Sequence, residues 1–336
     1  MAKSYTTPWT LRAYDALPGN PISIGAVLAI GLLTAFFVGR AVFGGAENPA
    51  PGELRVAVTQ ILIAAYCATA YTYVLMTARR TTRELSLAVP DLPNHRAIID
   101  RAGKHAKWIL PLVGAVSYLI IGIGVTNATT LDATSPWYWQ GWSYDVFWHR
   151  VTTVAFVYWI GCFNYVIVVE SARLSRMSAR IVTLDLLNMR PYQPLIRQGL
   201  TNALLVFGMV SVLSLLGVES RYWPALIGFW ISFTVLAWIG LMLPLRGIRS
   251  KFKHAKNQEL EWCRVNLKVS RDALKSGSGE GLSIADTLAY QSMIENQRNW
   301  PFDNSILVRF LLYLLIPLGS WLGGALVDRG VDLILS

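Results

Sequence analysis

The side chains in this sequence that could do chemistry are polar groups set inside long apolar segments. The most regular set lies near the C-terminus, where a polar or small residue returns every three or four positions. Its members are Arg309, Tyr313, Pro317, Ser320, Gly324 and Asp328. At 3.6 residues per turn they share one side of a helix. Polar groups inside a membrane face other helices or a water-filled path, so the set predicts either a helix contact or a pore lining.

Two further features of this segment bear on its shape. Pro317 lies near the middle of the apolar stretch and removes one helix hydrogen bond, which predicts a kink. Gly319 and Gly323 are four residues apart, a spacing that lets a second backbone approach closely. A kinked helix with charges near both ends is compatible with a pore and with tight packing, and both interpretations stay open.

Two earlier segments carry similar polar sets. Thr59, Tyr66 and Tyr73 fall within a narrow sector of one predicted helix. In another, Asn164 shares a face with His149. Hydrogen bonding between helices explains both sets as well as a conduction path does.

Catalytic motifs are absent from the sequence. It contains no HExxH, no GxSxG and no GxGD-type pair, and no carboxylate pair lies deep in an apolar segment. General acid–base chemistry inside a bilayer would therefore lack its groups. The sequence predicts no catalytic residue, no cofactor, no metal site and no enzyme.

The apolar segments are long enough to cross a membrane. Hydrophobic residues make up 54% of the chain and charged residues 15%, against roughly a quarter charged in an average soluble domain. Seven segments approach or exceed the length of about 18 residues that a span requires. They are 22–44, 55–78, 108–127, 147–170, 199–217, 224–245 and 305–327. We therefore predict an all-α, polytopic membrane helix bundle with about seven transmembrane helices.

The distribution of charge predicts the orientation. The net charge is +10, and placing the N-terminus in the cytoplasm leaves only five of the 30 Lys and Arg residues outside. These are Arg40, Arg55, Arg150, Arg221 and Arg329. This bias is typical of a chain with its N-terminus inside and, after seven spans, its C-terminus outside. Basicity then indicates contact with anionic membrane lipids and not with nucleic acid.

The extramembrane mass is predicted to lie mainly in the cytoplasm. The helix of the fourth span is expected to continue past Ser171 and to stop near Met189, where prolines follow. Between spans six and seven, the stretches Arg249–Lys275 and Ile284–Arg298 predict a cytoplasmic helical hairpin. The chain then divides into spans one to six, the hairpin, and the last helix with a short outer tail: 1–245, 246–304 and 305–336.

Two stretches resemble uncharacterised multi-pass membrane proteins of bacteria and archaea. One is LDLLNMRPYQPLIRQGL, from Leu184 to Leu200, and the other runs from Trp300 to Asp328. The resemblance implies no particular chemistry. Together with the size of the chain, it implies a bacterial cytoplasmic (inner) membrane.

The order of the predicted elements is similar to the plan of insect odorant and gustatory receptor channels. In that superfamily the channel is a homotetramer, the last helix lines the pore and cytoplasmic helical segments anchor the subunits. The aromatic and glutamine-containing signature of that family's last helix is absent here, so no residue is carried over. The resemblance is one of topology alone.

These observations favour one hypothesis and leave another open. The leading hypothesis is a homo-oligomeric, channel-like membrane protein whose last helix lies at the subunit centre. The alternative is a non-conducting scaffold or sensor that recruits a cytoplasmic protein partner through residues 246–304. A secondary transporter is less well supported, because an odd span number and the lack of matched interrupted helices argue against inverted repeats.

Overall fold

The computed structural model describes residues 5–43, 51–88, 99–122, 144–181, 186, 190–215, 223–276, 284–296 and 304–335. In chain order the elements are β1 (Tyr5–Thr6), α1 (Trp9–Ala16), α2 (Pro21–Phe43), α3 (Pro51–Ala88), β2 (His105–Ala106), α4 (Ile109–Ser117), α5 (Tyr144–Ser178), α6 (Gln193–Leu213), α7 (Trp223–Ser276), α8 (Ile284–Asn296) and α9 (Asn304–Leu335). A π-helical turn at Tyr118–Gly122 continues α4, and a 3-10 turn at Arg190–Tyr192 leads into α6.

Six helices in the described part of the chain are long and apolar enough to cross a membrane. They are α2, α3, α5, α6, α7 and α9. The prediction of an all-α, multi-pass membrane protein is confirmed at this level. The predicted third span, 108–127, is described only as far as Gly122, and the apolar helix seen there is shorter than the other six. The count of seven spans stays a prediction.

Two helix boundaries differ from those expected. Helix α5 continues past Ser171 as predicted, but it ends at Ser178, well before Met189. A turn closes it there, in which the backbone N–H of Arg180 donates to the carbonyl of Met177 at 3.0 Å. The prolines that were expected to stop α5 lie instead at the start of α6, where the helix does not need their missing N–H.

Helix α7 joins two segments that the sequence analysis kept apart. The predicted span 224–245 and the charged stretch Arg249–Lys275 form one helix of 54 residues that passes through Pro244. At 1.5 Å per residue this helix is about 80 Å long, against a hydrocarbon core of about 30 Å. Its charged C-terminal part therefore extends well beyond the apolar part.

Helix α8 packs against this extension of α7. Phe252 and Ile294 are buried between the two helices. The Lys256 ammonium donates to the carbonyl of Glu295 at 2.9 Å. These contacts give the extension a partner outside the main core.

The main core lies between α3, α5, α6 and α7. Its largest fully buried side chains include Tyr71, Phe163 and Phe207. Two glycines allow close helix crossings: a Cβ on Gly199 would lie 2.7 Å from the Leu241 carbonyl oxygen. On Gly247 it would lie 2.1 Å from a backbone carbonyl of α5. Helices α2 and α9 lie at the edge of this core, and only 11% and 17% of the described residues in their apolar windows are buried.

The N-terminal segment is tied to the bundle by a feature that the sequence analysis did not predict. Strands β1 and β2 pair antiparallel, with Tyr5 opposite Ala106 and Thr6 opposite His105. Helix α1 then lies against α3, with Leu11 buried in the core. Pairs of two residues, about a hundred positions apart, leave no alternating pattern from which a strand could be predicted.

Candidate functional site

Two residues of the predicted set on the last helix, Pro317 and Ser320, contact α6. The Ser320 hydroxyl donates to the carbonyl of Ser211 at 3.0 Å. Ser214 Oγ, whose hydroxyl donates to the Ser211 carbonyl at 2.7 Å, also lies 3.4 Å from the carbonyl oxygen of Pro317. Tyr313 packs half-buried against the core. This part of the set therefore makes helix contacts within one copy of the chain.

The rest of α9 presents a different side. Arg309 is exposed. A Cβ added to Gly319 or Gly323 would meet no atom of the described residues within 4 Å. Gly324 and Asp328 belong to α9, but their side-chain surroundings lie outside the described residues. Polar or small residues thus occur both on the face against α6 and on the outward face.

The predicted residues of α3 also make helix contacts. The Tyr66 hydroxyl donates to the carbonyl of Leu205 at 2.7 Å. It occupies space that Gly208 leaves, because a Cβ there would lie 2.3 Å from the hydroxyl oxygen. Thr59 is buried and Tyr73 is half-buried. The polar side of this helix therefore faces protein along much of its length.

Polar groups of α3 and α5 meet at Gln60, which the sequence analysis did not single out. The Thr152 hydroxyl donates to Gln60 Oε1 at 3.0 Å, and Gln60 Nε2 donates to Thr153 Oγ1 at 3.2 Å. Further along α5, Asn164 is half-buried, and its Oδ1 has no hydrogen-bond partner among the described residues.

A longer polar chain joins α3, α6, α5 and α7. The Thr81 hydroxyl donates to Gln198 at 3.3 Å, and the Gln198 amide donates to Asn202 at 3.0 Å. The Asn202 amide then donates to the hydroxyl of Ser171 at 3.0 Å and to the carbonyl of Gly240 at 3.3 Å. Gln198 and Asn202 lie four residues apart in an apolar helix, a spacing that could have revealed them in the sequence.

Beside Ser171, Glu170 forms a buried ion cluster. Its side chain is 3% exposed, and Oε1 accepts a hydrogen bond from Nη1 of Arg173 at 2.6 Å. The same oxygen lies 3.0 Å from Nε2 of His105.

Two arginines hold the loop that leads into β2. Arg173 Nη2 donates to the carbonyl of Lys104 at 3.0 Å, and Arg79 Nε donates to the carbonyl of Ala102 at 3.2 Å. Gly103 has a φ of +66°, a conformation that favours glycine. A Cβ there would lie 2.7 Å from Arg79 Nε. The loop is therefore fixed by side chains of α3 and α5.

A cavity of about 550 Å³ lies between this loop, the N-terminal segment and helices α3, α4 and α5. Its lining includes Thr10, Tyr71 and His105, which are 4%, 1% and 2% exposed. The Thr10 and Tyr71 hydroxyls hydrogen-bond each other, His105 Nε2 lies 3.0 Å from the Glu170 carboxylate, and His105 Nδ1 has no hydrogen-bond partner among the described residues. An unpaired buried polar atom costs about 1–3 kcal/mol. Buried polar groups along a cavity, one of them unpaired, are typical of a small-molecule site.

Aromatic rings and basic side chains complete the cavity. Trp159 lies between Trp9 and Tyr71, with ring centroids 6.2 and 5.7 Å away, and Tyr158 meets it edge-on at 5.2 Å. The basic residues of the lining are Arg12, Lys104 and Lys107. No acidic residue belongs to the described lining.

We call the cavity and its lining the N-terminal pocket. It offers hydrogen-bonding groups, positive charge and aromatic surface, the combination with which small-molecule sites orient a ligand. The described residues hold no group of three His, Cys, Asp or Glu side chains that could bind a metal ion. None of the sequence-predicted residues lines the pocket, because its lining comes from segments far apart in the chain, each unremarkable alone.

The fold defines the class: this chain is an all-α, multi-pass membrane protein with six helices suited to crossing a bilayer. No protein-family model, curated protein or solved structure matches it.

Proposed function

We propose that this protein is a homo-oligomeric channel of the cytoplasmic (inner) membrane, with the outward face of α9 at the subunit centre. In this proposal the chain crosses the membrane seven times, and the charge bias puts the N-terminus in the cytoplasm and the C-terminus outside. The α7 extension and α8 then form a cytoplasmic helical hairpin that holds the subunits together. One observation carries the proposal: a row of exposed residues on α9 that contains Gly319 and Gly323, whose surroundings are open among the described residues.

We call this row the glycine row. Its members follow one another at intervals of three or four: Arg309, Leu312, Ile316, Gly319 and Gly323. Such an interval keeps side chains on one side of a helix. The neighbouring outward side carries mainly leucines, which suits contact with lipid. Two glycines without side chains suit contact with other copies of α9 around an axis, or the wall of a narrow path along it.

Charge along the glycine row predicts what the path would conduct. Arg309 stands at its cytoplasmic end in the proposed orientation, and it is exposed. A ring of arginines, one from each subunit, favours anions. We therefore propose anion conduction.

The hairpin offers a second surface for subunit contact. Trp262, Val265 and Val269 lie on one side of the α7 extension and are 49%, 53% and 60% exposed. In the proposed topology this surface is in water, where exposed apolar side chains at helical spacing favour a contact with another protein surface. A second copy of the chain is the occupant that the channel hypothesis requires.

The test is chloride flux into liposomes that contain the purified protein. Gly323→Val should reduce flux severalfold, and Arg309→Ala should reduce the preference for chloride over sodium. The matched controls are Gly31→Val, at a glycine of α2 whose Cβ also meets no described atom within 4 Å, and Lys268→Ala, on an exposed part of the α7 extension. Absence of flux under voltage, stretch and pH change, or equal flux from all variants, would refute the proposal.

The alternative function is a non-conducting scaffold or sensor. The same exposed row of Trp262, Val265 and Val269 favours it, with a soluble cytoplasmic protein as the occupant. In that case Trp262→Ala abolishes recruitment of the partner, the protein is monomeric, and liposomes show no flux. Oligomeric state, measured by light scattering in detergent, separates the two hypotheses.

A further inference from the structure

The N-terminal pocket has the chemistry of a site for an anion with an apolar body. Its basic residues, Arg12, Lys104 and Lys107, face no acidic side chain within the described lining. The Glu170 carboxylate lies 3.0 Å from the lining residue His105, and it already pairs with the guanidinium of Arg173 at 2.6 Å. The charge that remains for a ligand is therefore positive, and an anion is the complementary partner.

The deep side of the pocket suits the oxygens of such an anion. Thr10 and Tyr71 present two hydroxyls that hydrogen-bond each other, and His105 presents Nδ1, which has no hydrogen-bond partner among the described residues. These side chains are more than nine-tenths buried. A phosphate ester has several acceptor oxygens, and it forms its stronger hydrogen bonds with cationic donors such as Arg and Lys.

The walls of the pocket suit an apolar group. Trp9, Trp159 and Leu110 belong to the lining, together with Pro111. A cavity of about 550 Å³ lies within the range of about 300–1,000 Å³ usual for small-molecule sites. An inorganic anion alone would fill only a small part of that volume and would leave the aromatic wall without a contact.

The position of the pocket relates it to the membrane surface. Trp9, in the lining, and Trp108, next to the lining residue Lys107, are 62% and 60% exposed. Tryptophan is enriched at the level of the lipid head groups. In the proposed orientation this end of the bundle is cytoplasmic. Basic pockets between helices on that side bind anionic lipid head groups.

We propose that the N-terminal pocket binds a phosphate ester that carries an apolar group, through Arg12, Lys104, Thr10, Tyr71 and His105. The ester is supplied either by an anionic phospholipid of the adjacent leaflet or by a soluble phosphate ester. Only the lipid source depends on the proposed orientation, and neither source depends on conduction.

The experiment is a titration of the full-length protein in detergent micelles, followed by isothermal calorimetry and by tryptophan fluorescence. The probes are dioctanoyl phosphatidylglycerol and phenyl phosphate, with dioctanoyl phosphatidylcholine and inorganic phosphate as controls. Saturable binding of one or both probes, at least tenfold tighter than either control, is expected. Binding of phosphatidylglycerol alone assigns the lipid source, and binding of phenyl phosphate alone assigns the soluble one.

Variants separate binding from folding. The double variant Arg12→Gln/Lys104→Gln should weaken binding at least tenfold, and Lys268→Gln, far away on α7, should leave it unchanged. Tyr71→Phe removes a hydroxyl whose protein partner is Thr10, so it should weaken binding severalfold while lowering the melting temperature of the free protein only slightly. A purely structural hydroxyl would give the opposite pattern.

The proposal is overturned if neither probe binds saturably, if a control binds as tightly as the probes, or if the Arg12/Lys104 double variant binds like the wild type. Because flux is not measured, these outcomes are distinct from those that test the channel. Binding without conduction would sustain the pocket and refute the channel.

Discussion

Replacement of Glu170 by glutamine should destabilise the protein far more than the same change at Glu84. Both carboxylates accept hydrogen bonds from an arginine. The Glu170 side chain is 3% exposed and is held by Arg173 at 2.6 Å, with the imidazole of His105 3.0 Å away. Glu84, at the end of α3, is paired with two arginines that are mostly exposed. The pair therefore compares a buried ion cluster with a surface one.

The magnitudes follow from burial. Removing one partner of a buried ion pair costs about 3–5 kcal/mol, because the other charge stays buried without compensation. Arg173 is 29% exposed and keeps its bond to the Lys104 carbonyl, so the lower end, about 3 kcal/mol, applies to Glu170→Gln. A surface ion pair contributes about 0–1 kcal/mol, and this is the loss expected for Glu84→Gln.

The measurement is the free energy of unfolding, from SDS titrations of the purified protein followed by circular dichroism. A second readout is proteolysis of the N-terminal segment, which should accelerate in Glu170→Gln because Arg173 then holds the β2 loop less firmly. Equal losses of stability at the two positions, or a loss below about 1 kcal/mol at Glu170, would show that the cluster is not an energetic support of the loop.

Two further predictions concern helix packing. Gly247→Ala should lower the free energy of unfolding by about 2 kcal/mol, since overpacking against the Ser175 carbonyl costs up to about 3 kcal/mol and the gain in helix propensity returns about 1. Gly228→Ala is in the same helix, but its Cβ would meet no described atom within 4 Å, so this change should leave the free energy of unfolding unchanged or raise it. Equal shifts of melting temperature for the two variants would contradict the close crossing of α7 and α5 at Gly247. Tyr66→Phe removes the bond to the Leu205 carbonyl and should cost about 1 kcal/mol in the same titration; an unchanged midpoint would argue against that contact.

The spans could be predicted because their signal is local. A long apolar run needs no knowledge of its neighbours to be identified as membrane-spanning. The length of α7 could not be predicted in the same way. Pro244 and the charges from Arg246 onward indicate an end, yet the helix continues, and α8 packs on the extension through Phe252 and Ile294. The contact between α8 and the α7 extension cannot be identified from the sequence of α7 alone.

The N-terminal pocket could not be predicted for the same reason. His105 and Glu170 meet at 3.0 Å, although they lie in different segments and neither stands in a recognisable motif. Thr10 comes from the N-terminal segment and Tyr71 from the middle of an apolar helix. The pairing of β1 with β2, the packing of α1 on α3 and the arginine contacts to the β2 loop bring these residues together, and two-residue strands leave no pattern in the sequence.

The two sides of α9 show that a polar side chain and a glycine in a membrane helix indicate different kinds of contact. A hydroxyl in hydrocarbon must find a hydrogen-bond acceptor, and Ser320 finds one on α6 within the same chain. A glycine has no such requirement, and lipid gives apolar side chains no reason to seek other helices. The hydroxyl of Ser320 therefore reports a contact inside the subunit. Gly319 and Gly323, which have no side chain, are the positions where the α9 helix of a second copy can approach most closely.

A cross-linking experiment tests this contact. Gly323→Cys should form an oxidative cross-link between subunits, and Gly31→Cys should not. The three native cysteines are buried, so a cross-link in the wild type, or none at Gly323→Cys, would place the subunit contact elsewhere.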